Sequence, residues 1–109
     1  MCIRDRGSID GLLRLEPVAD PNVVYSVHFY EPHAFTHQGA TWGTPAWEDL
    51  RGLAWPTDTE ALLRQVDALG SERASQNVRW SAEHRPWTVA RLEERLAQAA
   101  EWALSLIHI

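Results

Sequence analysis

The sequence predicts an α/β fold, on three observations: one apolar run rich in β-branched and aromatic residues over residues 23–30, a capped amphipathic pattern over 58–69, and a longer one over 88–103. The near-continuous apolar character of the run suits a strand covered on both faces, as in α/β proteins. With 109 residues the chain is long enough for one modest domain, since domains most often run to about 100–150 residues.

The elements follow in order. Ser8 can cap a short helix in which Ile9, Leu12 and Leu13 share a face and Pro17 closes the segment. Asp20, Pro21 and Asn22 form a turn, because proline presets its own dihedral and the flanking Asp and Asn satisfy local backbone groups. In the strand that follows, alternation puts Tyr25, Val27 and Phe29 on one face and Ser26, His28 and Tyr30 on the other. Residues 31–56 show neither helical nor strand period, and a loop of that length in a compact domain is usually functional. At Thr57-Asp58-Thr59-Glu60 the spacing predicts a capping box opening a helix over 58–69, with Leu62, Val66 and Leu69 on one face and Gly70 as its stop. Residues 71–86 are polar and ambiguous, helical in part. The last helix is capped by Thr88; Val89, Leu92, Leu96, Ala99 and Ala103 form its apolar stripe, with Glu93, Glu94, Arg95 and Glu101 on other faces.

Composition excludes several function classes. The net charge is −5 and the ten cations, all Arg, are scattered rather than gathered in a patch, which argues against nucleic acid as a partner. No segment reaches the roughly 20 apolar residues of a membrane-spanning helix, so a membrane partner is not expected. The single cysteine, Cys2, can form neither an internal disulfide nor a thiolate metal cluster. No targeting signal is visible. The first six residues, Met-Cys-Ile-Arg-Asp-Arg, and the last six, Leu-Ser-Leu-Ile-His-Ile, resemble translated adapter sequence. Residues 1–6 and 104–109 are therefore expected to be non-native ends, and 7–103 to be a piece of a larger domain.

Four groups of residues carry chemistry. His28 and Tyr30 stand roughly 6–7 Å apart on one strand face, close enough to address one small ligand. The same pair also reads as a buried tyrosine with a hydrogen-bonded histidine. His28, His33 and His37 with Glu31 are the residue types of a zinc site, but their spacing fits no established ligand motif, and the expectation is no metal and no cofactor. Of six tryptophans, Trp42, Trp47 and Trp55 fall in the long loop; an indole face can stack on a sugar ring, and Trp42 is the best ligand candidate. Trp55 is expected to pin the loop and Trp102 to be core, while Trp80 and Trp87 carry no signal. Glu31 points away from His28 and Tyr30 on strand alternation, which makes it a poor catalytic acid. Phosphate loops, nucleophile elbows and dinucleotide fingerprints are absent from the sequence.

Over residues 24–42 the run Val-Tyr-Ser-Val-His-Phe-Tyr-Glu-Pro, followed by Phe-Thr-His-Gln-Gly-Ala-Thr-Trp, resembles glycoside hydrolase family 5, the retaining cellulases. The resemblance is to the sixth strand of that family's barrel and the loop after it. The final helix is similar to the one leading into the seventh strand, and residues 57–87 match only loosely. The resemblance implies a fragment of a (β/α)8 TIM barrel, from about the fifth helix through the seventh helix and including the sixth strand. A full barrel takes about 250 residues. It implies cleavage of a β-1,4-glucan, with His28 and Tyr30 binding sugar and orienting the nucleophile, and Trp42 meeting substrate. The acid/base and nucleophilic glutamates, supplied by the fourth and seventh strands, would lie outside the chain, leaving it inactive alone and its one strand without sheet neighbours. The family further implies a secreted or periplasmic, monomeric parent with a polysaccharide partner. The alternative from the residues themselves is a non-catalytic carbohydrate-binding module using Trp42 and Trp47.

Overall fold

The structure is a computed structural model that describes residues 2–6 and 8–106, the first five of them as backbone. Two strands, five α-helices and one 3-10 helix occur among these residues. They sort into two compact units: one from the described residues up to Tyr30 and those from Leu92 onward, the other Glu31–Arg91.

In the first unit, β1 (Cys2–Arg6), α1 (Ile9–Leu13) and β2 (Val23–Val27) form a strand–helix–strand sequence. The strands are parallel, with Cys2 beside Val23 and Arg6 beside Val27. This corrects the expectation of a strand without sheet neighbours: residues 2–6, read from sequence as a non-native end, are the pairing partner that β2 needs for its backbone groups. It also shortens the strand. Pairing stops at Val27, so His28 and Tyr30 lie just past the ladder rather than on its face. Ser8 caps α1 as expected, its hydroxyl accepting from the Gly11 amide at 3.1 Å. Ile9 and Leu12 are buried beneath it. The Tyr25 ring meets the Trp102 ring edge-on at 5.0 Å, and its hydroxyl accepts from the Val18 amide at 2.7 Å.

α5 (Val89–Ser105) starts in the second unit and continues in the first. Thr88 caps it, its hydroxyl accepting from the Arg91 amide at 3.2 Å. The stripe that hydropathy marks as apolar is only partly covered: Val89, Leu96 and Ala103 are exposed and Leu92 and Ala99 half-buried, while Arg95 is the buried residue of the helix. Of the C-terminal residues expected to be non-native, Leu104 and Ser105 belong to this helix and 107–109 lie outside the described residues.

The second unit has its own core. Ala34, Leu50, Leu53, Leu62, Val66, Ala74, Val78, Ala82 and Trp87 are mutually packed, with Trp47, Trp55 and Phe35 against them. Each fully buried Leu or Val contributes about 1.5–3 kcal/mol of transfer free energy. α3 (Thr59–Asp67) and α4 (Glu72–His84) supply most of it. The capping box is not formed. Asp58 is the N-cap of α3, accepting from the Ala61 amide at 2.8 Å, because Asp outranks Thr as an acceptor at that position. Glu60 instead pairs with Arg64 one turn on, at 2.9 Å. The ambiguous stretch after Gly70 is α4, capped by Ser71. Trp87, silent in the sequence, is the largest fully buried side chain, its indole N–H donating to Ser81 at 2.9 Å.

The loop over 31–56 is ordered by polar clasps. It contains a single turn of helix, α2 (His33–Thr36), and the 3-10 helix Pro45–Asp49. The Gln38 side chain accepts from the Leu53 amide at 2.8 Å and donates to the Leu53 and Phe35 carbonyls at 3.1 Å. Asp49 accepts from Ser71 at 2.7 Å and from Arg73 at 3.0 Å, tying the 3-10 helix to the start of α4. These bonds use side chains, not a periodic backbone ladder, which is why hydropathy period misses them.

Candidate functional site

The residues singled out by sequence fall in both units. In the first, His28 and Tyr30 directly follow β2, their rings 6.1 Å apart and edge-on at 74°. Both are exposed, Tyr30 by 49%. The pair does come together, through the extended segment after the ladder, and the reading of a buried tyrosine does not apply. A cleft of about 470 Å³ in the same unit, lined by Val18, Asp20, Val23 and Tyr25, opens at the other end of β2.

In the second unit an aromatic cluster spans α2 and the 3-10 helix. His33 and His37 are one helical turn apart and stack at 5.4 Å. Trp47 lies nearly parallel to both, 6.2 Å from His33 and 4.8 Å from His37. Trp42 meets His37 edge-on at 5.1 Å and is 65% exposed. The two candidate platforms therefore differ: Trp47 is half-buried against the core and its neighbours, whereas Trp42 projects from the surface. Gly43, between them, has φ +88° and passes so close that a Cβ there would stand 2.9 Å from the Trp47 ring.

Burial is the main reason the His33 pKa falls below its usual 6.5, with the neighbouring His37 and Arg85 charges adding to it and Glu31 opposing. The fold thus favours the neutral His33 ring. Among the described residues no three His, Cys, Asp or Glu side chains converge as metal ligands do. Trp55 packs on the core as expected of a loop anchor, and Trp102 is half-buried against Tyr25.

Sequence reasoning passed over one region. Asn77 and Trp80 on α4, Arg85 just past its end, and His33, Thr44 and Trp47 line a cavity of about 210 Å³. Asn77, Trp80 and Ser81 are three and four residues apart and so share a helix face. No motif joins them to residues 33–47, so only tertiary contact reveals the group.

Compared with curated proteins, the chain matches enzymes of one class locally: it is related over a third to a half of its length to endoglucanases. It is 51% identical over 35 residues to Endoglucanase 3 of Fibrobacter succinogenes, which is 32% of this chain and 5% of that protein. It is 38% identical over 55 residues to Endoglucanase C of Acetivibrio thermocellus and to Endoglucanase C307 of Clostridium sp. (strain F1), half of this chain and 16% of each relative. The aligned chain thus spans a small part of the length of these relatives. No protein-family profile and no solved structure matches it.

Proposed function

We infer that the chain is an internal part of a retaining family 5 glycoside hydrolase acting on β-1,4-glucan. One observation carries this reading: the His28 and Tyr30 rings stand side by side directly beyond the carboxyl end of a parallel strand, in a chain with local identity to endoglucanases. Barrel enzymes carry their catalytic groups at that end of the strands. On this reading β2 is the sixth strand and α5 the helix leading to the seventh. The unit Glu31–Arg91 is then a helical insertion in the connection after the sixth strand. Exposure of Val24 and Leu96 supports it, since neighbouring strands and helices of a barrel would cover such side chains.

Retaining hydrolysis needs two carboxyl groups about 5–5.5 Å apart, one a general acid/base and one a nucleophile. In this reading both come from other strands, while His28 and Tyr30 hold the nucleophile and a sugar hydroxyl by hydrogen bonds and Trp42 offers an indole face to a glucose ring. The parent is monomeric and secreted or periplasmic, where a polymeric substrate is accessible. The test is made in the complete enzyme: His28→Ala and Tyr30→Phe should each lower kcat by about 10²-fold or more with an unchanged circular dichroism spectrum. Wild-type turnover in both variants rejects the assignment.

The exposure of Trp42 keeps a second reading, a carbohydrate-binding module. Retention of the 109-residue chain on cellulose, lost on Trp42→Ala, would favour it. Trp47 is too enclosed to serve as the second platform.

A further inference from the structure

The cavity of the second unit contains polar groups that the fold does not use. Its lining carries one guanidinium, that of Arg85, and no carboxylate. Among the described residues Arg85 forms no ion pair; its guanidinium lies 5.5 Å from the centre of the Trp80 ring. A cation just past a helix end ordinarily turns to the last carbonyls, but this one rests on an indole. Attraction of the guanidinium to the indole face leaves its N–H groups for a partner. The Asn77 amide and the Thr44 hydroxyl, which line the same space, also form no side-chain hydrogen bond among the described residues.

Three unused donors around one cavity define the kind of ligand. The volume, about 210 Å³, falls below the roughly 300–1,000 Å³ of pockets that enclose drug-sized molecules, and has room for one sugar ring. The Arg85 fork matches a carboxylate in geometry and charge. The His33 ring contributes a polar edge to the lining, and Glu31 is not part of it. We propose that this cavity binds a single carboxylate-bearing sugar unit, a hexuronate, with Arg85 on the carboxylate and Asn77 and Thr44 on ring hydroxyls. The carboxylate follows from the cavity alone; the sugar rests on the polysaccharide reading above.

The experiment is an NMR titration of the 15N-labelled 109-residue chain, following the indole N–H signals of Trp47 and Trp80. The probes are D-glucuronate, D-glucose and acetate. Glucuronate should shift both signals saturably and bind at least ~10-fold more tightly than glucose or acetate, a difference of about 1.4 kcal/mol. Arg85→Met, which keeps the aliphatic stem, should reduce the preference for glucuronate over glucose to less than about 2-fold, with Arg85→Gln as a second variant should the first not fold. Asn77→Ala should weaken both sugars. Equal binding of glucose and glucuronate, equal binding of acetate and glucuronate, no saturable shift, or full preference retained without Arg85 each overturns the proposal. Glucuronate binding here combined with wild-type turnover of His28 and Tyr30 variants would overturn the hydrolase reading while leaving this site standing.

Discussion

Arg95, in the middle of α5, is only 6% exposed, and its guanidinium pairs with the Asp10 carboxylate of α1 at 3.0 Å. Gln98 supplies a further acceptor at 2.7 Å. A long basic side chain is thus part of what holds α1 to α5, while leucines of the same helix face outward.

Removing one partner of a buried charge costs more than removing both, because the remaining charge is less well compensated. Asp10→Ala should therefore destabilise the chain by about 1–3 kcal/mol in urea unfolding. The double variant Asp10→Ala, Arg95→Leu should recover part of that loss. An additive double variant would show that the pair contributes no coupling.

Gly43 should not tolerate a side chain. Its φ of +88° is strained for any L-residue, and the added carbon would stand 2.9 Å from Trp47. Gly43→Ala is expected to cost about 1–3 kcal/mol and to displace the Trp47 indole N–H resonance. Trp42→Ala, by contrast, removes an exposed ring and should leave the melting temperature within a degree or two.

Asp49 sets an acid limit on the second unit. Hydrogen bonds from Arg73 first and Ser71 second lower its pKa from 3.8 to about 2. A carboxylate with a depressed folded pKa contributes stability that is fully present above the unfolded value and is lost as pH falls through the folded one. The contribution should therefore disappear between about pH 4 and pH 2. Arg73→Gln should raise the Asp49 pKa in an NMR titration and make the acid midpoint of unfolding less steep in pH.

His33 acts at higher pH with the same sign. Its folded pKa lies below 6.5, chiefly from burial, so the folded state favours the neutral ring. Its contribution is complete above pH 6.5 and declines as pH falls through the folded pKa. His37→Ala removes the second cause, and the His33 resonance should then titrate at higher pH than in the parent chain.

Legibility from sequence followed the range of the interactions involved. Ser8 and Thr88 cap helices through bonds to the third residue on, a distance that sequence displays directly, whereas the same bond from Ser71 opens a stretch whose polarity hid its helix. The helix of residues 59–67 was readable from its apolar spacing, although the choice between Thr57 and Asp58 as cap was decided by which oxygen reached the Ala61 amide. His28 and Tyr30 were legible as a pair because two residues of extended backbone bring their rings together whether or not the ladder continues. The cavity around Arg85 was not, since Thr44 and Asn77 are far apart in the chain and no local rule connects them.

The amino-acid sequence by itself determined the helix of residues 59–67, most of the helix of residues 89–105, the β-rich run and the closeness of His28 to Tyr30, because each depends on neighbours within a few residues. Tertiary structure alone decided that Cys2–Arg6 pairs with Val23–Val27, that residues 31–91 close on a core of their own around Trp87, and that Arg95 is buried while Leu96 is not. Hydropathy measures the preference of a side chain for water. It does not register that a buried guanidinium with a carboxylate and an amide within reach has already replaced the water it gave up.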